Sequence, residues 1–285
     1  MRTIRSTVIP ALLLLLAAPL QAQVVGGSLV VWVVSERSDY VVIGAESRNL
    51  DSRRNFSNDR SCKVISLGGD TLFYETGSSV VGVRNGKSWS SKGAARAAYS
   101  FSQKRDVLSL TDEWGTIALR WFTSQPTQDL LTIAHMPDGN LVTGGFIGFD
   151  KERVLTTHGI NISYDAGKRS LRSEPSSQAP GQIGAAGVAL DLVKEFIHGK
   201  TDRAIKAFGP IGAVRWIAGD PLQDVSFVQK TIKFAMDNAV GADKSALGGD
   251  IDIAIIRKDR TIEWVARKSW CSGEDLKPTR PAKRE

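Results

Sequence analysis

The sequence predicts an α+β fold in which sheets pack against each other and helices cover them. Segments with strand character and segments with helix character occur in separate blocks along the chain, so like elements gather into layers. Two early runs, Leu29–Val34 and Tyr40–Ala45, are apolar at almost every position, which is typical of strands covered on both faces. A chain of 285 residues that is 42% apolar and 24% charged is also long enough for one large domain with a full core, or for two small ones.

The first 22 residues have the pattern of a secretory signal. Arg2 and Arg5 precede the apolar run "ALLLLLAAPL", and Ala22 ends a small-residue cleavage site. The run is too short to span a bilayer comfortably, although an uncleaved anchor is the alternative. We therefore expect an exported protein, secreted or periplasmic, without stable membrane insertion.

The sequence pattern in the first half of the chain predicts four strands and then two helices. The turn "SERSD" joins the first two strands into a hairpin, and the polar loop "NLDSRRNFSNDR" follows them. The remaining elements are a strand "CKVISL" from Cys62, a strand "TLFYETGSSV" from Thr71, and helices over Lys92–Val107 and Leu110–Phe122.

The second half predicts a further hairpin, a surface loop, three helices and two closing strands. Asp220 caps the clearest of these helices and Pro221 occupies its first turn. The closing strands, "GGDIDIAIIRKDRTIEWVAR", are followed after Cys271 by a polar tail over 272–285, expected to be disordered. The other predicted elements are strands Asn140–Phe149 and Arg153–Ile162, an irregular loop over 166–182, and helices within Val188–His198 and Asp202–Ala218.

Composition argues against several classes of function. The formal net charge is +7, and the charges are spread out without a dense basic stretch, so no nucleic-acid groove is expected. Two cysteines and three histidines at unrelated spacings carry no metal signature, and we expect neither a metal nor a cofactor. Cys62 and Cys271 suit an exported chain with one disulfide, but sequence does not show whether they approach each other, so the bridge stays open.

The first third of the chain resembles the opening of proteasome-type subunits. The resemblance is carried by "GAESR" at Gly44–Arg48, "CKV" at Cys62–Val64 and "ETGSS" at Glu75–Ser79, in the family's order and spacing, and by "GGDIDIAII" from Gly248. It implies an N-terminal-nucleophile (Ntn) hydrolase, a superfamily that shares a four-layer αββα sandwich. A single domain over 28–271 follows, while the middle of the chain matches only in the order of its elements.

The resemblance also implies a set of catalytic residues. Ser28 takes the nucleophile position, and the Gly27–Ser28 junction is similar to the bond that these proteins cleave in themselves, which makes 23–27 a short propeptide. The freed α-amine of Ser28, with an unperturbed pKa of ~7.7–8, would act as the base. Lys63 falls on the family lysine, Glu46 on an aspartate position, and Gly77 on the glycine whose N–H helps hold the oxyanion.

The chain departs from the family pattern at several positions. The nucleophile is serine rather than threonine, and Glu46 has one methylene more than the family acid. Proteasome subunits place an acid and a serine just before the closing glycines, whereas Leu247 and Lys244 stand there here and Asp243 and Ser245 are out of register. Two polar members of the usual site are therefore absent or shifted.

Each site residue also has an ordinary structural explanation. Ser28 would then begin a strand after a glycine linker, Lys63 and Glu46 would form a buried ion pair, and Gly77 would serve a tight turn. The two functional hypotheses are an amide- or peptide-bond hydrolase acting on peptides or small amides, and a non-catalytic scaffold with the Ntn fold. Proteasome-type subunits form rings, so a homo-oligomer is a further expectation, but the contacts differ between subfamilies.

Overall fold

A computed structural model describes residues 24–25, 28–50, 56–78, 80–82, 88–133, 139–198, 212–215 and 220–276. The signal segment 1–22 and the Gly27 side of the expected cleavage bond lie outside these residues. The helices are α1 (Ser91–Phe101), α2 (Val107–Thr123), α3 (Thr127–Ile133), α4 (Leu190–His198), α5 (Pro221–Asn238) and α6 (Gly241–Ala246), with a 3-10 helix at Ser269–Glu274. The strands are β1 (Val24–Val25), β2 (Leu29–Val34), β3 (Tyr40–Ala45), β4 (Asn49–Leu50), β5 (Phe56–Asn58), β6 (Val64–Ser66), β7 (Leu72–Gly77), β8 (Val80–Gly82), β9 (Ser88–Ser90), β10 (Asn140–Phe149), β11 (Leu155–Asp165), β12 (Ser170–Gln178), β13 (Gln182–Gly187), β14 (Gly212–Arg215), β15 (Asp252–Arg257) and β16 (Ile262–Ala266).

Two antiparallel sheets form the centre of the molecule. One has the strand order β14-β13-β2-β3-β15-β16, and the other has the order β12-β11-β10-β7-β6. The early hairpin β2–β3 lies in the middle of the first sheet, where Val31 pairs with Gly44. Two small antiparallel sheets, β1-β8-β9 and β4-β5, stand apart from these.

The inner faces of the two large sheets pack on each other. Trp32 of β2 lies 4.8 Å, centroid to centroid, from Tyr74 of β7. Alternate residues of β2 and β3 join the same buried cluster as residues of β6, β7 and β10. Every residue of β2 and β3 is buried, because the remaining alternate residues point to the opposite face and are covered there as well.

Helices cover both outer faces. Residues of α1 and α2 share a buried cluster with β6, β7, β10 and β11, while α4 and α5 share another with β2, β3, β13 and β15. The predicted α+β fold with two packed sheets and outer helices is therefore confirmed at this level. Among the described residues, no helix is long and apolar enough to cross a membrane.

Local capping explains where the long helices begin. The Asp220 side chain accepts a hydrogen bond from the Leu222 N–H at 2.9 Å, and Pro221 occupies the first turn of α5, as the sequence predicts. Asp106 caps α2 in the same way, accepting from the Ser109 N–H at 2.9 Å. Each cap satisfies a backbone N–H that has no partner within its own helix.

A disulfide joins Cys62 to Cys271, which resolves the question that sequence left open. It ties the 3-10 helix to the residue before Lys63 and β6. A backbone hydrogen bond strengthens this link, since the Leu276 N–H donates to the Ser66 carbonyl of β6 at 2.9 Å. The C-terminal part of the described chain is therefore anchored to the strand that begins just after Lys63.

The prediction of an irregular loop over 166–182 is wrong. Ser170–Gln178 form β12, a nine-residue strand that pairs with β11 along its whole length. It is an edge strand whose residues are mostly exposed, so it lacks the apolar alternation by which a strand is recognised. Its charged and proline residues, which suggested a loop, are those that protect an exposed sheet edge.

Two other segments differ from expectation. Gly212–Arg215, within the helix expected over Asp202–Ala218, pair as strand β14 with β13, and the rest of that segment up to residue 219 lies outside the described residues. Ser272–Glu274 were assigned to the disordered tail, but they continue the 3-10 helix. The disulfide at Cys271 holds them, whereas residues 277–285 lie outside the described chain.

Candidate active site

Ser28 lies directly before β2, at one end of the central sheet. It is fully buried, and its carbonyl accepts a hydrogen bond from the Val188 N–H at 2.9 Å. On the preceding side, Val25 of β1 pairs with Val80 of β8. The backbone of Ser28 is thus held on its carbonyl side by a hydrogen bond from the β13 side of the sheet.

Glu46 follows β3 and turns its carboxylate back onto the start of β2. Its Oε1 accepts from the Leu29 N–H at 3.1 Å, and its Oε2 accepts from the Arg48 N–H at 2.6 Å and the Gly248 N–H at 3.3 Å. The side chain is fully buried. Burial raises its pKa to about 7, although the positive charge of Lys63 and the three N–H groups act in the opposite direction.

Lys63 immediately precedes β6 and is buried apart from 1% of its surface. Its ammonium donates a hydrogen bond to Asn49 Oδ1 at 2.8 Å. Burial lowers its pKa, while the carboxylates of Glu75 and Glu46 support the charged form. Lys63 is thus a buried amine that interacts electrostatically with the carboxylate holding the peptide N–H next to Ser28.

Gly77 ends β7 in a conformation that favours glycine, with φ at +79°. A Cβ at this position would come within 3.0 Å of the Leu141 carbonyl oxygen and 3.1 Å of the Val142 Cα in the neighbouring strand. Gly77 precedes Val80, the partner of Val25, so it flanks the same β1–β8 pair as Ser28 does. Glycine is therefore required here by backbone packing, whatever else its N–H does.

The chain before the closing glycines contributes backbone rather than side chains. Lys244 and Ser245 of α6 are exposed, and Leu247 is buried among apolar residues. Gly248 supplies the N–H that Glu46 accepts, and its φ of +155° suits only glycine. A Cβ on Gly248 would also overlap the Arg48 guanidinium, which pairs with Asp59 at 2.8 Å.

Three residues of this site were missed by reasoning from sequence. Asn49 holds the Lys63 ammonium, Glu75 is its strongest electrostatic partner, and Gly187 permits β13 to approach Ser28. Only Glu75 carried a signal, as a lone acid inside the apolar run "TLFYETG". Asn49 and Gly187 lie in segments whose approach to Ser28 or Lys63 depends on the tertiary fold.

A cleft of about 450 Å³ opens on the other side of Gly249. Met236 of α5 lines one wall, and Asp250 and Lys268 line the other. The Lys268 ammonium already pairs with buried Asp252 at 2.9 Å. None of Ser28, Glu46, Lys63 and Gly77 lines this cleft, although Lys268, which does line it, acts electrostatically on Lys63 and Glu46.

The described residues contain no group of three or more histidine, cysteine, aspartate or glutamate side chains placed to hold a metal ion. No protein-family model matches the chain, and no curated protein matches it either. The site is therefore interpreted from its own geometry and from the motifs in the sequence.

Proposed function

We propose that this protein is an exported Ntn-type hydrolase that cleaves amide or peptide bonds with Ser28 as its N-terminal nucleophile. The observation that carries the proposal is the hydrogen bond from the Leu29 N–H to Glu46, with the buried charge of Lys63 acting on the same carboxylate. Glu46, distant in sequence from Ser28 and chosen from a motif, thus contacts the peptide group next to Ser28, and Lys63 acts on Glu46. The two packed sheets with helices outside are also the arrangement that the αββα resemblance implies.

Activation requires cleavage of the Gly27–Ser28 peptide bond. Water supplies the hydroxyl that completes the Gly27 carboxylate and the hydrogen that completes the Ser28 amine, whether the bond is cut by the protein itself or by another protease. In the uncut chain Ser28 is fully buried. Removal of the preceding residues would uncover its hydroxyl and release its amine in one step.

The freed amine then serves as the general base. Ser28 Oγ attacks the substrate carbonyl carbon while the neutral amine accepts the hydroxyl proton, and the C–N bond breaks as that proton passes to the leaving amine. Water next hydrolyses the Ser28 ester to give the carboxylic acid product and regenerate the hydroxyl. Lys63 favours the neutral amine by charge repulsion, and the Gly77 N–H would stabilise the oxyanion.

The alternative function is a scaffold or binding protein with the same fold. The full burial of Ser28 in the uncut chain favours the scaffold function, because an ordinary structural residue at the start of a central strand is buried in the same way. The exposed positions of Lys244 and Ser245 also favour it, since no acid or serine side chain joins the site from this segment. The two functions differ in whether a mature chain begins at Ser28.

Intact-mass analysis of the protein exported from expressing cells tests the proposal. We expect a chain that begins at Ser28 and hydrolyses amide substrates, for example a panel of peptides bearing a fluorogenic amide. Ser28→Ala should remove the hydrolysis, and Ser28→Thr, which keeps a hydroxyl nucleophile, should retain it at least in part. A homogeneous chain beginning at Gln23, without hydrolysis, would leave the scaffold function.

A further inference from the structure

Glu75 is a buried carboxylate to which the proposed reaction assigns no role. It lies within β7 and has no exposed surface. Neither of its carboxylate oxygens forms a hydrogen bond of good geometry with the described residues. Burial raises the pKa of Glu75, while the charges of Lys92 and Lys63 and the Ser91 hydroxyl act in the opposite direction. A buried carboxylate without such bonds is costly unless cations lie near it.

The nearest cation in the strand pairing is Lys63. Val64 pairs with Tyr74 in the antiparallel β6–β7 ladder, so Lys63 and Glu75 are the next residues opposite each other. The Glu75 N–H donates to the Lys63 carbonyl at 3.0 Å, which continues that register. Directly opposed residues of antiparallel strands place their side chains on the same face of the sheet.

A second cation, Lys92 in the first turn of α1, acts on the Glu75 carboxylate more strongly than Lys63 does. Its ammonium lies 3.6 Å from Glu274, which also accepts from Arg96 at 2.6 Å. Glu274 belongs to the 3-10 helix that the disulfide ties to Cys62, beside Lys63. Positive and negative groups therefore alternate from Lys63 through Glu75 and Lys92 to Glu274.

Four charged groups act on Lys63 from the surrounding elements. Glu75 favours its charged form most strongly and Glu46 does so less, whereas Lys92 and Lys268 oppose it. Glu46 is already engaged by three backbone N–H groups. It has less capacity to serve as the counter-ion of Lys63 than Glu75, whose oxygens form no hydrogen bond of good geometry with the described residues.

We infer that Glu75 is a positioning residue, the counter-ion that keeps the Lys63 side chain charged inside the protein. Glu46 then holds the start of β2, and Asn49 directs the ammonium. The inference rests on the proposed function for its catalytic meaning, because Lys63 must be charged to act on the Ser28 amine. The electrostatic pairing itself can be measured without any activity.

The test uses the Ser28→Ala protein, after intact-mass analysis has verified that the preparation has a single N-terminus. Lysine labelled with 13C and 15N allows the Lys63 side chain to be titrated by NMR, and its signal is assigned by its absence from a Lys63→Arg variant. Adding Glu75→Gln should move the Lys63 titration to lower pH, and Glu75→Asp should restore part of the shift. The matched control is Asp224→Asn, which neutralises a buried acid that accepts a hydrogen bond from the Tyr40 hydroxyl at 2.8 Å and is not one of the four charged groups named above as acting on Lys63.

An unchanged Lys63 titration in Glu75→Gln, or an equal shift in Asp224→Asn, overturns the inference. If Glu75→Gln fails to fold, the carboxyl carbon of Glu75 is titrated instead in the Ser28→Ala protein. A carboxylate that is ionised at neutral pH supports the pairing, and a protonated one refutes it. The proposed function is tested separately, by the intact mass of the wild-type protein. The role of Glu75 and the hydrolase function can therefore each fail while the other stands.

Discussion

The Ser28 carbonyl oxygen and the Gly187 Cα approach each other so closely that a Cβ on Gly187 would overlap that oxygen. Gly187 has φ at +115° and pairs with Leu29 across β13 and β2. The next residue, Val188, donates its N–H to the same oxygen at 2.9 Å. The absence of a side chain on Gly187 is therefore a condition for the backbone position of Ser28.

Gly187→Ala should lower stability substantially, by about 2 kcal/mol or more, because the methyl group meets backbone atoms and the conformation is strained. Any processing at Gly27–Ser28 should fall with it. Gly69→Ala is the matched control, because a Cβ there has no atom within 4 Å. Urea unfolding of both variants would measure the difference, and equal stabilities would contradict the prediction.

Glu46→Gln should change stability in a pH-dependent way. The pKa of Glu46 is about 7 in the folded chain, above its ordinary value of 4.5. Between pH 4.5 and about pH 7, the folded state therefore keeps a proton that the unfolded state has lost. The unfolding free energy of the wild type therefore falls as pH rises through that window, and glutamine removes this effect. Thermal unfolding at pH 5 and pH 8 should show Glu46→Gln gaining stability relative to wild type as pH rises. A constant or reversed difference would exclude a raised pKa.

Removal of the disulfide should destabilise the fold. Cys62 and Cys271 are separated by 209 residues, so the bridge restricts a long loop in the unfolded chain. Replacing both cysteines with serine should lower the unfolding free energy by about 2–5 kcal/mol. Urea unfolding measures the loss, and a reducing agent should weaken the wild type without affecting the double variant. A double variant as stable as wild type would show that noncovalent contacts alone hold the 3-10 helix.

The buried pair of Asp252 and Lys268 should be sensitive to loss of one partner. Asp252 is fully buried, and it also accepts from the Lys268 backbone N–H at 2.8 Å. Asp252→Asn should cost about 3–5 kcal/mol, because it leaves the ammonium of Lys268 buried with less compensation. Asp237→Asn, which breaks an exposed pair with Lys233, should cost at most about 1 kcal/mol. Similar losses in the two variants would argue against this difference in burial.

Elements with a strong local pattern could be predicted from sequence. The β2–β3 hairpin is continuously apolar, and α5 has both an apolar face and a capping aspartate, so each carries its own signal. β12 could not be recognised, because an edge strand with both faces exposed is selected for solubility rather than for core packing. β1, β8 and β9 were missed for another reason, since strands of two or three residues are too short to show a period.

The candidate site shows the same division. Ser28, Glu46 and Lys63 could be chosen because motifs mark them, and Glu46 indeed contacts the peptide beside Ser28. The residue opposite Lys63 was not foreseen, because the position of Glu75 across from Lys63 depends on the β6–β7 register and not on spacing along the chain. Long-range register is a property of the whole sheet, so no local window of sequence contains it.

The exposed edge formed by β12 has a consequence for how copies of this protein meet in concentrated solution. Nine residues of backbone lie along the rim of the five-stranded sheet, long enough to template another strand. Pro175 lacks an N–H to offer, and Arg172 and Glu174 bring charge to the same stretch. The pairing of this edge with strands of neighbouring molecules, which would lead to aggregation, is thereby disfavoured.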